Sequence, residues 1–479
     1  MSRARMLYEE YQDMTVFQML QKNAGKFQER TMLSYWRDGQ AVSVTHSGFL
    51  RDVQRLAAYF DRLGLRGRRI VIDGRNTYEQ LAALFAAMSM GAAAVPLCFD
   101  LQSDDLRQLF QRLHPSLVLC DEEDSDLLPE LPWDGPTLAC LGENSVRAIL
   151  DGDGPLYQDD AGIAPEQAAL ILATSGSSAQ PKLVVLSHLA LLPHGHRELE
   201  RSIFVFPIYH VALVSLIDDM ANGVPNCLSS FRQAFFDIQW YQPHDIFAVP
   251  SFVSLLLKRA RMGALELSTF HSITSGGAPQ DPGMDEYLKE RGIFFCSLYG
   301  ATEISGPVVY STPEQSRPGS VGRIGPWNEV RFSETGELLV RSKHIMLEYL
   351  GDPEATSEAL ENGWYHTGDV GYLDEDGFLF ITGRIKNMIV LSNGENISPE
   401  AIESKLAACT EIREAVVSAQ GDQLAAAVWC GEALDAETEK TVRAFIAQYN
   451  KKVPSYQALR IIRFREEPFP KTSSGKIKR

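Results

Sequence analysis

The chain has 479 residues, more than one ordinary hydrophobic core holds, so two or three domains are expected. Its composition, 45% hydrophobic and 22% charged, is typical of a water-soluble globular protein, and its formal charge of −17 argues against nucleic acid or an anionic membrane as the main partner. The seven cysteines lie singly without a C-x-x-C pair, so neither a zinc site nor a disulfide framework is indicated, and a reducing cytoplasm is expected.

No targeting or membrane-spanning segment is expected in the N-terminal half. The first residues, MSRARMLYEEYQ, include acidic residues where a signal peptide would have its apolar core. Residues 81–99 are long and uncharged enough to suggest a membrane span, but they are rich in alanine and interrupted by Gly91 and Pro96. A buried helix followed by a strand, with the turn at Gly91, is predicted instead.

Helices and strands alternate along the first part of the chain. Apolar residues at helical spacing predict helices at 45–65, 78–90 and 106–113, and short apolar runs predict strands at 69–72, 93–97 and 117–119. This alternation indicates a mostly parallel sheet with helices on both faces.

The next strand ends in a loop of small and hydroxylated residues. The apolar run 170–173 is followed by Thr174, Ser175, Gly176, Ser177 and Ser178, and then by Pro181 and Lys182. Such a loop lets backbone N–H groups and hydroxyls converge on a polyphosphate, and the lysine adds positive charge. It is not the Walker pattern, because it has one glycine and no Ser or Thr after Lys182. Taken alone, the stretch fits a surface turn equally well.

Three further predicted strands, at 204–206, 246–249 and 293–295, end near unusual residues. The first leads into Pro207-Ile208-Tyr209-His210, and residues 274–278 and 297–303 form two more polar, glycine-containing loops. Ligands of open α/β sheets bind at the carboxyl ends of strands, so these loops are expected to share one crevice.

After about residue 310 the sequence changes to strands rich in glycine and turns. Strands predicted at 337–341 and 377–381 alternate as in antiparallel hairpins. From Gly383 a small α+β unit is expected, with Ser398 capping a helix over 401–408, strands at 416–417 and 424–429, and a helix at 437–449.

Five motifs, in order, resemble those of the adenylate-forming superfamily of acyl- and aryl-CoA ligases, luciferases and adenylation domains. The loop at 174–183 is similar to its phosphate loop T-S-G-S-T-G-x-P-K-G, and residues 299–303 match Y-G-x-T-E. The others are residues 364–369 for (W)-Y-x-T-G-D, 383–387 for G-R-x-[KD]-D and 470–476 for P-x-T-x-x-G-K. One match could arise by chance, but five in order over nearly the whole chain are specific.

The resemblance implies an α/β fold with two domains. Residues 1–384 would form an N-terminal adenylation domain of doubly wound, mostly parallel sheets plus a distorted β-barrel, and residues 385–479 a small mobile α+β lid hinged at Lys386. The implied chemistry has two halves: a carboxylate attacks the α-phosphate of ATP, giving acyl-AMP and pyrophosphate, and an acceptor thiol then displaces AMP. ATP, Mg²⁺ and CoA, or a carrier-protein phosphopantetheine, are the expected cofactors.

The resemblance also implies which residues bind the nucleotide. The β- and γ-phosphates would be held by the loop residues Thr174, Ser175, Gly176, Ser177, Ser178 and Lys182. Tyr299 would stack on adenine, across from Gly276, Gly277 and Ala278, with Gly300 and Thr302 also in the nucleotide site. Asp369 would accept hydrogen bonds from the ribose hydroxyls, and Arg384 would reach the ribose.

The catalytic assignments are implied in the same way. Lys476 resembles the lysine that bridges carboxylate and phosphate, although by itself it would be a solvated lysine. Glu303, together with Thr174, would bind Mg²⁺, and His210 would lie beside the reacting carboxylate, where a buried structural histidine is the alternative. Asn393, Gly394 and Glu395 would face the acceptor.

The sequence departs from the family pattern at several positions. Ala179 and Leu183 replace two glycines of the phosphate loop, and the segment 188–206, before the His210 element, is short. Asp218 and Asp219 in the following helix are expected on an exposed face, with contact to a polar substrate group as the alternative. The predicted pocket residues are apolar and fit an aryl or short-to-medium acyl acid: Val211, Val214, Ala248, Pro250, Leu298 and Ile304.

Three functional hypotheses follow. The first is an acid–CoA ligase, since the hinge loop and the pocket differ from those of amino-acid-activating domains and no carrier-protein domain is expected after Lys476. The second is an adenylating enzyme that loads a separate carrier protein or an amine. The third is a non-catalytic protein that binds ATP or acyl-AMP, motivated by the altered phosphate loop. The expected partners are a small carboxylic acid and the acceptor, with a homodimer left open.

Overall fold

The computed structural model of the chain describes residues 9–99, 101, 103–158, 162–174, 181–194, 199–277, 282–312, 316–391, 395–421, 423–431, 434–470 and 477. The helices are α1 Val16–Phe27, α2 His46–Arg62, α3 Tyr78–Ser89, α4 Ser103–Leu113, α5 Val146–Asp151, α6 Leu213–Asn222, α7 Ala234–Tyr241, α8 Pro250–Arg261, α9 Pro282–Lys289, α10 Pro353–Ala359, α11 Pro399–Leu406 and α12 Ala436–Lys452.

The strands are β1 Thr31–Arg37, β2 Gln40–Thr45, β3 Arg69–Asp73, β4 Ala93–Leu97, β5 Leu117–Cys120, β6 Thr137–Ala139, β7 Ala168–Thr174, β8 Lys182–Ser187, β9 Ser202–Phe204, β10 Asn226–Leu228, β11 Asp245–Ala248, β12 Ser272–Gly276, β13 Phe294–Leu298, β14 Gly300–Ala301, β15 Gly306–Pro307, β16 Val309–Tyr310, β17 Gly322–Ile324, β18 Asn328–Phe332, β19 Glu337–Ser342, β20 Glu348–Tyr349, β21 Leu360–Glu361, β22 Trp364–Leu373, β23 Phe378–Arg384, β24 Ile389–Val390, β25 Asn396–Ile397, β26 Glu414–Gln420, β27 Gln423–Trp429 and β28 Leu459–Arg465.

Two seven-stranded sheets form the larger part of the molecule. The first has the order β13-β12-β11-β9-β10-β1-β2 and is parallel except for the β1/β2 pair. The second has the order β20-β8-β7-β4-β3-β5-β6, with parallel central strands and antiparallel β7/β8 and β8/β20 pairs. The mixed α/β architecture with parallel sheets is therefore confirmed.

A third, antiparallel sheet and a separate α+β unit follow. The third sheet has the order β16-β17-β23-β22-β19-β18, with β21 added beside β22. In the C-terminal unit β26, β27 and β28 form a sheet. Its buried residues, among them Ile402, Leu406, Val442 and Ile446, form a hydrophobic cluster of their own.

Local sequence signals explain where the elements begin and end. Thr45 caps α2 through a hydrogen bond from the Gly48 N–H to its Oγ1 (3.0 Å), and Ser398 caps α11 in the same way ahead of Pro399. Helix α3 is buried on all sides, and Gly91, with a φ of +80°, makes the predicted turn into β4. No helix within the described residues is long and apolar enough to cross a membrane.

Two predictions, one about the end of β9 and one about helix α6, were wrong. Strand β9 ends at Phe204, although the apolar pattern predicted a strand through 206, because the backbone turns at Pro207. Asp218 and Asp219 are buried, not on an exposed helix face: Asp218 Oδ1 accepts a hydrogen bond from the His194 N–H (2.7 Å) and Asp219 Oδ2 accepts one from Asn226 Nδ2 (3.1 Å). These partners satisfy the carboxylates inside the fold, which helical periodicity alone could not reveal.

Candidate functional site

The predicted site loops leave one edge of the first sheet. Strands β9, β11, β12 and β13 are parallel neighbours, so the segments that follow them emerge at the same edge. Gly276 pairs with Leu298 at the ends of β12 and β13, and Gly277 and Tyr299 follow directly. The structure thus brings the His210 loop, Gly277 and Tyr299 to one edge of the sheet.

Tyr299, Asp369 and Arg384 form a hydrogen-bonded cluster between the first and third sheets. The Tyr299 hydroxyl donates to Asp369 Oδ2 (2.7 Å), and Arg384 Nε donates to Asp369 Oδ1 (2.7 Å). Asp369 and Arg384 are opposite one another on β22 and β23, which explains their contact. Burial, together with the nearby Asp369 carboxylate, raises the pKa of Tyr299 well above its usual value, so the hydroxyl remains a donor.

Two glycines allow the backbone to pass closely at this edge. A Cβ at Gly276 would lie 2.7 Å from the Leu298 carbonyl oxygen, and one at Gly300 would lie 2.0 Å from the Gly306 carbonyl oxygen. Gly300 pairs with Pro307 in the β14/β15 hairpin, and Thr302 and Glu303 lie in the 3₁₀ turn between its strands. The Y-G-x-T-E spacing therefore fixes where Glu303 projects.

Glu303, Tyr349 and Lys182 form a second cluster. The Tyr349 hydroxyl donates to Glu303 Oε1 (2.9 Å), and the Lys182 ammonium lies over the Tyr349 ring, 4.2 Å from its centroid. Burial and the Glu303 charge raise the pKa of Tyr349, which keeps its hydroxyl protonated. Sequence reasoning selected Lys182 and Glu303 but missed Tyr349, whose signal was the short apolar segment around β20.

The described ends of the phosphate loop are held together. Thr174 on β7 is opposite Lys182 on β8, and its Oγ1 lies 3.5 Å from the Lys182 carbonyl oxygen. Arg112 from α4, which sequence reasoning also missed, donates to the carbonyl oxygens of Pro181 (2.7 Å) and Leu350 (3.1 Å). Ser175, Gly176, Ser177 and Ser178 lie outside the described residues.

His210 is partly buried and stacks on Phe206 with ring centroids 4.8 Å apart. Its Nδ1 accepts a hydrogen bond from the Ala212 N–H (3.1 Å). In the neutral imidazole this places the proton on Nε2.

Most of the remaining predicted residues lie in or after the turn that follows β23. Lys386 lies exposed in the 3₁₀ turn Ile385–Asn387 between β23 and β24, and Glu395 is exposed before β25, its carbonyl accepting from the Leu391 N–H (3.0 Å). Ala278, Asn393, Gly394 and Lys476 lie outside the described residues.

Comparison with known proteins identifies the class. The AMP-binding enzyme family matches residues 20–350, and the AMP-binding enzyme C-terminal domain matches residues 386–479. The chain belongs to the AMP-binding enzymes, within the adenylate-forming superfamily.

Several of the relatives are CoA ligases. The chain is 27% identical to the indoleacetate–CoA ligase of Aromatoleum aromaticum over 89% of its length and 90% of that protein's. It is 28% identical to 4-coumarate–CoA ligase 3 of Arabidopsis thaliana, over 89% and 83% of the two chains. The structure of the anthranilate CoA ligase AuaEII in complex with anthranoyl-AMP has the same fold, with a TM-score of 0.85, 20% identity and coverage of 97% and 96%.

Proposed function

We propose that this chain is an acid–thiol ligase that activates an aryl carboxylic acid with ATP and transfers the acyl group to CoA. The observation that carries the proposal is the Tyr299–Asp369–Arg384 cluster at the strand-end edge where the His210 loop also emerges. The cluster presents a buried carboxylate, which suits a ribose, beside an aromatic ring, which suits the attached base. The family and its CoA-ligase members support the same activity.

In the first half-reaction a carboxylate oxygen attacks the α-phosphorus of ATP, and the bond to the pyrophosphate oxygen breaks. Two anions meet in this step, so positioning and charge neutralisation matter more than proton transfer. Asp369 and Arg384 orient the ribose, Lys182 neutralises the leaving pyrophosphate, and His210 Nε2–H holds the acid. Lys476 completes the neutralisation when the C-terminal unit closes.

The donor groups fit Mg²⁺. Glu303 offers a partly buried carboxylate with one oxygen held by Tyr349, and carboxylate oxygen is the ligand type that this ion prefers. The described part of the chain contains no group of three or more His, Cys, Asp or Glu side chains that could hold a metal. Glu303 and Thr174 would bind Mg²⁺ together with the phosphates. Bound Mg²⁺ supplies neutralisation of polyphosphate charge.

In the second half-reaction the CoA thiol attacks the acyl carbonyl and AMP leaves. Lys386 is the hinge about which residues 385–479 rotate, bringing Asn393, Gly394 and Glu395 toward the acceptor in place of Lys476. Rotation of the C-terminal unit between the two half-reactions would let one nucleotide site serve both of them.

The proposal of an aromatic acid rests on the relatives. Val214, Ala248 and Ile304, which were predicted to line the acid pocket, are buried in the main hydrophobic core. The indoleacetate and 4-coumarate ligases among the relatives are consistent with an aryl substrate.

The test is a panel of aryl and acyl acids, assayed for acid-dependent pyrophosphate release and for thioester formation. At least one acid should support both, with hydroxylamine trapping the acyl-AMP when CoA is omitted. Lys476→Ala should abolish acyl-AMP formation but largely spare thioester formation from supplied acyl-AMP, because it acts in the first half-reaction. Equal loss in both assays would refute this division of labour, and hydroxamate without CoA consumption would assign another acceptor.

A further inference from the structure

Tyr349 lies on a strand that borders the phosphate loop. Strand β20 pairs antiparallel with β8, with Tyr349 opposite Val184, and the Leu350 N–H donates to the Leu183 carbonyl oxygen (2.8 Å). Side chains two residues apart on a strand share a face, so Lys182 lies on the same face as Val184, diagonal to Tyr349. The backbone pairing thereby places the Tyr349 ring beneath the Lys182 ammonium.

The two ends of Tyr349 contact groups of opposite charge. Its ring face carries the Lys182 cation, and its hydroxyl donates to Glu303 Oε1. The side chain is 4% exposed, and its direction is therefore fixed by packing.

A carboxylate held at one oxygen loses rotational freedom while its second oxygen remains a ligand. Groups that orient a metal ligand usually contribute to metal affinity without touching the metal. A cation held on an aromatic face is restrained in the same way. Because one rigid ring restrains both charges, their separation is fixed before the polyphosphate arrives.

We propose that Tyr349 is a positioning residue that sets the spacing between Lys182 and Glu303 for metal–ATP binding. The inference rests on the proposed function, since it takes Glu303 as the metal ligand and Lys182 as the phosphate ligand. The Tyr349 hydroxyl orients Glu303, the proposed metal ligand, and the Tyr349 ring orients Lys182, the proposed phosphate ligand.

Two variants separate the roles. Tyr349→Phe keeps the ring and removes the hydroxyl, whereas Tyr349→Leu removes both. Tyr241→Phe is the matched control, because Tyr241 is also buried with a cation (Arg201) over its ring, but its hydroxyl has no hydrogen-bond partner among the described residues.

The readouts are Mn²⁺ binding by electron paramagnetic resonance in the presence of α,β-methylene-ATP, and calorimetric binding of this nucleotide without metal. Tyr349→Phe should weaken Mn²⁺ binding about tenfold or more and leave metal-free nucleotide binding unchanged. Tyr349→Leu should weaken both Mn²⁺ binding and metal-free nucleotide binding, and Tyr241→Phe should change neither. In a Glu303→Gln background, Tyr349→Phe should cause no additional loss of Mn²⁺ affinity.

Wild-type Mn²⁺ affinity in Tyr349→Phe, or full additivity with Glu303→Gln, would overturn the proposal. If Tyr349→Leu does not fold, Lys182→Met takes its place in the metal-free measurement, where it should reproduce the loss of nucleotide affinity. These binding measurements need no acid substrate. Absence of acid-dependent pyrophosphate release with the whole panel would therefore count against the ligase function alone, and the binding data would still decide the role of Tyr349.

Discussion

Asp369 accepts hydrogen bonds from Tyr299 and Arg384 at the same time, one on each carboxylate oxygen. Asp369→Asn should therefore lower kcat/KM for ATP about 10- to 100-fold, because a hydrogen bond to a charged group contributes about 1.5–3 kcal/mol. The loss should show mainly in the KM for ATP, measured with saturating acid. Asp376→Asn, which alters an exposed pair with Arg317, is the control, and an unchanged KM in Asp369→Asn would contradict the ribose assignment.

His188 links protein stability to pH. It is fully buried, its Nδ1 accepts a hydrogen bond from the Val16 N–H (3.2 Å), and burial lowers its pKa to about 4. Between about pH 6.5 and 4 the unfolded chain binds the proton and the folded chain does not, so stability falls as the pH falls through this range. The loss levels off below the folded pKa, at a size on the order of 3 kcal/mol.

His188→Gln should flatten this dependence, because glutamine does not titrate. Urea unfolding at a series of pH values measures this dependence. The difference between the urea midpoints at pH 7 and pH 4 should be smaller in the variant than in the wild type. His46 and His344, whose pKa values are also lowered by burial, contribute to the slope that remains. An unaltered slope in His188→Gln would rule out this histidine as the titrating group.

At the level of elements, the β14/β15 hairpin depends on Gly300. A methyl group at this position would lie 2.0 Å from the Gly306 carbonyl oxygen, so Gly300→Ala should push the two strands apart. We expect a loss of about 2 kcal/mol in the free energy of unfolding and weaker ATP binding, since the hairpin carries Glu303. Thermal unfolding tests this against Gly154→Ala, where an added Cβ meets nothing within 4 Å. Equal melting temperatures in the two variants would disprove the steric argument.

Much of the element order was predictable because each signal was local. Helices α2 and α3, strands β3 and β4 and the Ser398 cap depend on periodicity, a capping hydroxyl or a glycine turn, all of which can be read within a few residues. The burial of Asp218 and Asp219 depends on partners outside their helix, His194 and Asn226. Such tertiary contacts leave no periodic trace in the sequence.

The residues of the candidate site were likewise predictable from the sequence only in part. Motif spacing identified Glu303, Asp369 and Lys182, but it gave no indication that Tyr349 links two of them, because that link depends on pairing between β8 and β20. Arg112 was missed for the same reason, since it reaches the loop from α4. The roles of Lys476 and Asn393, outside the described residues, stay predictions.

At the scale of the whole molecule, the proposed two-step reaction requires the hinge to move. Lys386 lies in a single 3₁₀ turn, and proline there would fix φ and remove an N–H group. Lys386→Pro should retain acyl-AMP formation while reducing thioester formation strongly, because one orientation of the C-terminal unit is trapped. Single-turnover assays of the two steps measure this, with Lys386→Ala as the control that leaves the backbone free to rotate. Wild-type second-step rates in Lys386→Pro would contradict the hinge assignment.

The order of strands in the first sheet has a consequence for synthesis on the ribosome. β1 and β2 precede β3 to β8 of the second sheet in the chain, but the parallel partner of β1 is β10, which follows them. The β1/β2 hairpin is therefore synthesised before the strand that it pairs with, and most of the second sheet is made in between. Such non-local pairing slows folding and leaves one hydrogen-bonding edge of β1 open to other chains during translation.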